Sequence, residues 1–370
     1  MLKMKSIITA LTLILVSLFG GVLIGQRTTD QQASDIGKLV EPFYGKYQSG
    51  IATKPQAHAT LLAFNVNRDF DRAAAGRLLR LWTNDAANLT QGKEVIGAVN
   101  PGMEKDPARL TVTFGFANSF FEKIGVPSPI ANSTIPYFAR IDKLQERWNG
   151  GDLVIQICGD DPLSIFNAAA MLKRDARPFA QVKWQQKGFL NSPGVNVGKT
   201  GRNLLGQLDG TANPDPTSKK FAKRVWREDG STLMVVRRIE LAIDAWDRLS
   251  TNRKGEVTGR KLVGGAPLSG GSEKSPVIKS KLPKNSHVEL SFTDKNQGIY
   301  RRGYNYEDGH LNAGLIFISF QESIERFNRI QTKLAEVDAL NTWTTPIGSA
   351  LFYVPSGIKQ GEWILGSLLK

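Results

Sequence analysis

Leu153-Val154-Ile155-Gln156-Ile157-Cys158 is an apolar run of strand length, and Asp161-Pro162 follows it closely. Proline suits the first turn of a helix, so this stretch predicts a strand that leads into a helix. A second apolar run, Leu315-Ile316-Phe317-Ile318-Ser319-Phe320, precedes an amphipathic segment from about Glu322 to Leu334. The strand–helix units 153–174 and 315–334 therefore resemble one supersecondary element that the chain uses twice.

The sequence before each unit repeats the same pattern. In the first part, predicted strands at His58–Val66 and Leu110–Phe114 flank a helical stretch from about Asp71 to Asn88. In the second part, a predicted strand at Ser231–Val236 precedes a helical segment that contains Trp246. Short strands that alternate with helices are typical of α+β and α/β units.

This repetition predicts an α+β fold with two similar halves. We expect residues 58–195 and 196–370 to form two antiparallel-type sheets that face each other, with helices outside. A pocket between the halves would be a natural cofactor site.

The N-terminal segment differs from the rest of the chain. Lys3 and Lys5 precede an uncharged apolar stretch from Ile7 to Gly25, which is the layout of an export signal. The stretch is also about long enough to span a bilayer, and no clear A-x-A cleavage site follows it. We therefore expect residues 1–26 to be a signal peptide or a membrane anchor, and residues 27–57 to be a linker or extended arm. The protein would be extracytoplasmic, secreted or anchored to the outer face of the cytoplasmic membrane by residues 7–25.

Composition and charge limit the function classes. The chain has 370 residues, 41% hydrophobic and 22% charged, as expected of a globular protein with a sizeable core. Its formal net charge of +14 favours acidic or anionic partners. Export and the lack of basic runs interleaved with aromatics argue against nucleic acid. Cys158 is the only cysteine, which excludes an internal disulfide; we expect a buried, inert thiol, with a catalytic cysteine as the alternative.

Histidine is scarce, with only His58, His287 and His310 in the chain. No H-E-x-x-H or Cys-x-x-Cys is present, which disfavours zinc hydrolase chemistry. The chain also lacks a P-loop, a G-x-S-x-G motif and the glycine spacing of a dinucleotide site.

Two segments stand out for their chemistry, although each also has a structural explanation. Asp209 lies beside Gly210 in the run 202–214, where small residues let the backbone approach a ligand, but Asp-Gly is also a common turn. His287 begins an alternating, strand-like stretch and could be a structural histidine. The run Tyr300–Tyr306 pairs two arginines with three tyrosines, which could equally form a solvated edge.

Taken together, these segments resemble the dye-decolorizing peroxidase family. The resemblance rests on Gly206-x-x-Asp209-Gly210, His287 and Arg301-Arg302-Gly303-Tyr304, with Gly265-Ala266-Pro267-Leu268-Ser269-Gly270-Gly271 between them. Fainter similarity extends from about His58 to the C-terminus, and the chain looks closest to the exported branch that includes deferrochelatase-type proteins. The resemblance implies a dimeric α+β barrel of two ferredoxin-like halves. One haem b per chain would lie between the sheet and helices of the C-terminal half.

The resemblance also implies roles for individual residues. His287 matches the axial iron ligand, Asp209 the distal aspartate and Arg301 the distal arginine, while Arg260 falls where relatives hold a haem propionate. A neutral imidazole is a good iron ligand, and one axial histidine leaves the other iron face open. A carboxylate can move a proton between peroxide oxygens, and a fixed cation can stabilise the charge that develops.

Neighbouring groups stay open at this stage. The hydrogen-bond partner of His287 could be Glu322, Glu325 or Asp308, without ranking. Bulky dyes cannot reach a buried haem, so surface aromatics could relay electrons or simply pack. The candidates are Tyr300, Tyr304, Tyr306, Trp246 and Trp343.

The leading hypothesis is thus a peroxidase that reduces hydrogen peroxide with dyes, phenols or other small-molecule electron donors. Iron release from haem in an iron-uptake system would use the same pocket. A non-enzymatic surface haem carrier is a hypothesis of a different class, and an exported domain without cofactor is the simplest one. The membrane would be contacted only through the N-terminal segment, and a homo-oligomer is one option for the assembly. The n-region lacks the twin arginine of many exported relatives, which leaves the export route open.

Overall fold

The computed structural model describes residues 36–98, 100–195, 198–292, 297–309 and 312–369. The predicted signal or anchor at 1–26 lies outside these ranges, as does His310. The helices of the described chain are α1 (Arg72–Leu89), α2 (Asn118–Lys123), α3 (Pro162–Ala176), α4 (Lys219–Val225), α5 (Ile243–Asp247), α6 (Thr251–Thr258), α7 (His287–Ser291) and α8 (Ile324–Val337). The strands are β1 (His58–Val66), β2 (Thr111–Phe116), β3 (Leu153–Gly159), β4 (Ala180–Phe189), β5 (Thr232–Leu241), β6 (Tyr300–Arg301), β7 (Tyr304–Glu307), β8 (Ala313–Gln321) and β9 (Thr344–Val354).

The two halves share one strand order. In the first half β1 pairs with β3 and β4, and β2 pairs with β3, all antiparallel. In the second half β5 pairs with β8 and β9, while β6 and β7 both pair with β8. Each half therefore has the βαββαβ order of a ferredoxin-like unit, and the predicted α+β duplication is confirmed.

The two half-sheets close into one barrel. Strand β4 pairs with β7 through Phe189 and Asn305, and β2 pairs with β9 through Phe116 and Tyr353. Because β5 also pairs with β8, the strands form a continuous ring within a single chain.

Helix starts in the first half follow from local capping. Asp71 accepts a hydrogen bond from the Ala74 amide at the start of α1, and Asp161 accepts one from the Ser164 amide at the start of α3. Both helices bury apolar faces against the outside of the sheet, where Trp82 donates from Nε1 to the Leu172 carbonyl at 2.9 Å. This contact joins α1 to α3 across the core.

The opposite faces of the same strands fill the barrel interior. Leu61, Cys158, Tyr304, Ile318 and Phe352 are buried together there. The predicted buried thiol is confirmed, and burial raises the pKa of Cys158 above its usual value.

Residues 36–57 pack onto this barrel. Ile51 and Gln56 are fully buried, and Gln48 donates from Nε2 to the carbonyls of Phe114 and Pro355. The described part of the predicted 27–57 segment is thus an embedded arm and not a free linker. Within the described ranges, no helix combines the length and apolar composition needed to cross a membrane.

Candidate active site

Asp209 lies at the end of a tight loop between β4 and α4, before the first strand of the second half in the sequence. The Gly206 amide donates to the Asn203 carbonyl, and the Asp209 amide donates to the Gly201 carbonyl. Gly206 has φ +76° and Gly210 has φ +109°, backbone conformations that side chains other than glycine rarely adopt. The glycines of the motif are therefore needed for the turn that presents the Asp209 carboxylate.

Arg301 ends the short strand β6, which pairs with β8 opposite Ser319. Its Nη1 lies 3.0 Å from Oδ1 of Asp209, and both side chains remain about one-third exposed, 30% for Arg301 and 27% for Asp209. The structure thus brings together two residues that are far apart in sequence and that the motif comparison had paired.

Asn213 fixes the position of this pair. Its Nδ2 donates to the Arg301 carbonyl at 2.7 Å, and its Oδ1 accepts from the Arg301 amide at 3.0 Å. The Asn213 side chain thereby bonds the Arg301 backbone as a neighbouring strand would, and it joins β6 to the Asp209 loop. Asn213 was not predicted from the sequence, because an asparagine four residues after an aspartate carries no signal of such a long-range contact.

His287 is the first residue of α7, so the prediction that it begins a strand-like stretch is wrong. Residues 287–291 alternate in polarity as a strand would, but they form a single helical turn that packs against α8. His287 Nδ1 lies 2.6 Å from Oδ2 of Asp338, and the imidazole is 31% exposed. With the Nδ1 proton donated to Asp338, Nε2 carries a lone pair and has no hydrogen bond within the described part of the chain.

Asp338 directly follows α8, and its side chain is only 3% exposed. Its other oxygen accepts a hydrogen bond from the Leu340 amide at 2.9 Å, which orients the carboxylate. The three partners suggested for His287 were wrong. Glu322 bonds to Arg326, Glu325 to Ser323, and Asp308 to Arg238 and Gln186.

Arg260 is held in place by backbone carbonyls. Its Nη1 donates to the carbonyls of Gly265 and Glu273, both at 2.8 Å. Burial lowers the pKa of Arg260, Glu273 acts to raise it, and the charge of Arg301 lowers it further. The positive charge of Arg301 thus acts on Arg260, and an anion bound at Arg260 would offset that effect.

A cavity of about 310 Å³ lies between the two halves and reaches this pair. Asp209, Asn213, Arg301 and Arg302 line it from the second half, and Gln56 is among the residues that line it from the arm. His287 is not part of its lining, so the cavity leads to the Asp209 side of the site.

The residues present fit a haem. A histidine with a free Nε2, a carboxylate on its other nitrogen and the cationic side chains of Arg260 and Arg301 are the donor set that an iron ligand and a propionate require. Within the described ranges, no group of three or more His, Cys, Asp or Glu side chains could hold a metal ion by itself.

The candidate relay aromatics are mostly not at the surface. Tyr300, Tyr304, Tyr306 and Trp246 are buried, and only Trp343 is partly exposed, in an edge-to-face contact with Trp246. The surface-relay interpretation is therefore wrong for four of the five, and the alternative that these residues pack in the interior is confirmed for those four. One partly exposed aromatic pair lies elsewhere: Tyr47 is parallel to Trp226, with 4.0 Å between ring centroids. His58 starts β1 beside Gly159 and Phe189, and it is not among the residues that line the cavity at Asp209.

Two family models of known proteins together match almost all of the described chain. The sequence model "Dyp-type peroxidase, N-terminal" matches residues 48–190, and "Dyp-type peroxidase, C-terminal" matches residues 200–359. A dye-decolorizing peroxidase of Thermobifida fusca is 33% identical over 364 residues, which cover 87% of this chain and 84% of that protein. A deferrochelatase of Escherichia coli K12 is 30% identical over 370 residues, with 89% and 87% covered.

Solved structures agree with the sequence comparison. A DyP-type peroxidase from Cellulomonas bogoriensis superimposes with a TM-score of 0.87 at 35% identity, covering 90% of this chain and 99% of that one. Ferric DtpA from Streptomyces lividans superimposes with a TM-score of 0.85 at 36% identity, covering 90% and 98%. These matches confirm the resemblance that the G-x-x-D-G and R-R-G segments indicated. The chain belongs to the Dyp-type peroxidase family.

Proposed function

We propose that this chain is a haem peroxidase that binds iron through His287 and handles hydrogen peroxide with Asp209 and Arg301. The observation that carries the proposal is the Arg301–Asp209 ion pair at 3.0 Å, in a chain whose His287 has a free Nε2. Membership of the Dyp-type peroxidase family supports this proposal, and so does the similarity to a dye-decolorizing peroxidase of Thermobifida fusca. The electron donors would be dyes, phenols or other small molecules.

A haem held by His287 would supply an iron that binds and reduces peroxide. Asp209 is the proton carrier in this proposal. Its Oδ1 is held by Arg301, so the carboxylate has a fixed orientation and can take a proton from one peroxide oxygen and give it to the other. Such general acid–base catalysis is typically worth about 10²–10⁴-fold in rate.

Arg301 supplies positive charge that does not depend on pH. Its backbone is clamped by Asn213 on both the amide and the carbonyl, so the guanidinium needs little reorganisation when negative charge develops on the departing oxygen. Arg260, held by two carbonyls and repelled by Arg301, would bind a haem propionate.

Asp338 tunes the axial ligand. A carboxylate that holds the Nδ1 proton of a ligating histidine fixes the tautomer and raises the basicity of Nε2. Its second hydrogen bond, from Leu340, keeps it from rotating away.

The test is turnover of the haem-loaded protein. Asp209→Asn and Arg301→Leu should each lower kcat with a saturating donor by about 10²-fold or more while haem stays bound. Asp69→Asn, at an exposed site outside the cavity, is the matched control. Full activity in both site variants would refute the proposed roles.

Iron release from haem is a second candidate, and the similarity to Escherichia coli deferrochelatase favours it. It would use the same pocket and could involve other iron-uptake components. Incubation with haem followed by extraction distinguishes the two activities, because free protoporphyrin would appear only if iron is removed. A non-enzymatic carrier would need His287 but would tolerate loss of Asp209 and Arg301.

We further propose that residues 1–26 direct the chain out of the cytoplasm, as a cleaved signal or an anchor. Lys3 and Lys5 before the apolar stretch at 7–25 support this. Cell fractionation with N-terminal sequencing tests it: protein in the soluble cytoplasmic fraction with Met1 retained would contradict export.

A further inference from the structure

Arg302 has an environment that the peroxidase proposal does not explain. It follows Arg301, but its side chain enters the barrel interior and the residue is only 2% exposed. One Nη donates to the Thr53 carbonyl and the other to Oε1 of Gln56, so both hydrogen-bond acceptors are neutral. Its Nε is buried without a hydrogen-bond partner among the described residues.

No carboxylate compensates this charge within the described chain. The ionisable groups that act on Arg302 are Tyr304, Cys158 and Tyr300. Burial raises the pKa of both Tyr304 and Cys158, so these two are neutral near pH 7. The other buried arginines of the strands differ: Arg237 is paired with Asp142, and Arg238 with Asp308. A buried cation without an anion is costly, which makes the site a strong attractor for one.

Arg302 also lines the cavity between the two halves, and that cavity is strongly cationic. Its charged lining consists of two aspartates and six basic residues. The basic residues are Lys54, Arg109, Lys199, Arg202, Arg301 and Arg302. Both aspartates already have partners, since Asp160 is paired with Arg109 and Asp209 with Arg301.

We propose that this cavity binds a small oxyanion, a carboxylate or inorganic phosphate, beside Arg302 on the approach to Asp209 and Arg301. An oxygen of such an anion is a strong acceptor for Nε of Arg302, because both Nη groups already donate to Thr53 and Gln56 and only Nε has no partner among the described residues. The volume of about 310 Å³ is at the lower end for small-molecule sites, so the ligand is small. Anion binding here rests on Arg302 and the cationic lining of the cavity, and it is measured without peroxidase turnover.

The test is calorimetric titration of the full-length protein with sodium phosphate and with sodium acetate. Ionic strength is held constant with sodium chloride, and acetamide is the uncharged control. We expect phosphate or acetate to bind and acetamide not to bind; the tighter of the two anions identifies an inorganic or an organic acid as the source. Arg302→Gln should raise the Kd at least about tenfold, as expected when a charged hydrogen-bond partner is lost.

A second pair of variants keeps the proposal falsifiable if Arg302→Gln does not fold. Lys54→Glu places a negative charge at the cavity, and Lys333→Glu makes the same change on the exposed surface of α8, away from it. Only Lys54→Glu should weaken anion binding, by several-fold. The proposal is overturned if the wild-type protein binds neither anion, or if either cavity variant binds as tightly as Lys333→Glu. Peroxidase activity can survive that result, so the two proposals fail separately.

Discussion

The two halves of the barrel share one strand order but cover their sheets differently. After β1 the first half continues into α1, an unbroken helix of 18 residues, whereas after β5 the second half has α5 of 5 residues and α6 of 8 residues. The core beneath α1 and α3 is large, while Leu205, Leu241, Trp246 and Val257 form a small separate cluster near α5 and α6.

In the second half, the two short helices α5 and α6 stand where the first half has the long helix α1, and this leaves room for the site. Between α6 and β6 the chain passes through the loop that holds Arg260 and then the single turn that begins with His287. The first half packs long helices on its sheet, whereas the region of α5 and α6 in the second half packs a smaller cluster and positions polar groups. Variants in the first half should therefore change stability, and variants in the second half should change chemistry.

The largest effect on stability is expected at the α1–α3 contact. Trp82→Ala removes a side chain that is 1% exposed and its bond to the Leu172 carbonyl, and should lower the free energy of unfolding by about 3–5 kcal/mol. Urea unfolding measures this, with Trp82→Phe as the milder control. Turnover per folded molecule should not change. A fall in turnover as large as that of Asp209→Asn would break the division between the halves.

The second effect concerns the axial histidine. In Asp338→Asn the amide can donate toward His287 Nδ1, which favours the tautomer with a proton on Nε2 and blocks that atom as a ligand. Haem affinity or activity should fall by about 10–100-fold, as is typical when the partner of a ligating histidine is lost. Haem titration measures the affinity. Glu322→Gln, which changes a carboxylate paired with Arg326, should bind haem like the wild type; equal affinities in the two variants would contradict the assignment of Asp338.

A third prediction uses two adjacent glycines in the loop of the second half. At Gly265, φ is +66° and an added Cβ would lie 2.4 Å from Leu208, the residue before Asp209; at Gly264, φ is +76° but no heavy atom lies within 4 Å. Gly265→Ala should therefore cost about 1–3 kcal/mol and displace the Asp209 loop, lowering kcat. Gly264→Ala should show the milder cost of backbone strain alone. Indistinguishable turnover in the two variants would show that Leu208 does not position Asp209.

The smallest effect is a pH dependence built into the first half. Burial, followed by the nearby charge of Asp85, raises the pKa of Asp175 to about 7, and burial also raises the pKa of Asp85. The folded protein thus keeps a proton that the unfolded chain releases, so the free energy of unfolding falls as pH rises from about 4 to about 7 and then levels off.

Asp175→Asn should remove most of that fall and stabilise the protein above pH 7 by about 1 kcal/mol or more. Thermal unfolding at a series of pH values measures it, with the exposed Asp69→Asn as control. A steeper pH dependence in the variant would contradict the raised pKa of Asp175 as its cause.

The same comparison explains what the sequence could predict. The alternation of strands, the Asp161-Pro162 helix start and the duplicated units are local patterns, and the strand order of both halves agrees with them. The segment at His287 was mispredicted because a single helical turn is too short to show helical periodicity. Asp338 and Asn213 were missed because their partners lie 51 and 88 residues away in sequence and are brought together only by the fold. Asp209 could be predicted because the positive φ angles of its turn require Gly206 and Gly210, and these glycines are visible in the sequence next to it.

His287 is the proposed iron ligand, and the most direct test of that role is a haem titration followed by the Soret absorbance. The wild-type chain should take up one haem, and His287→Ala should lose the Soret band of the bound form. A wild-type protein that binds no haem, or a His287→Ala variant with an unchanged spectrum and affinity, would contradict the account.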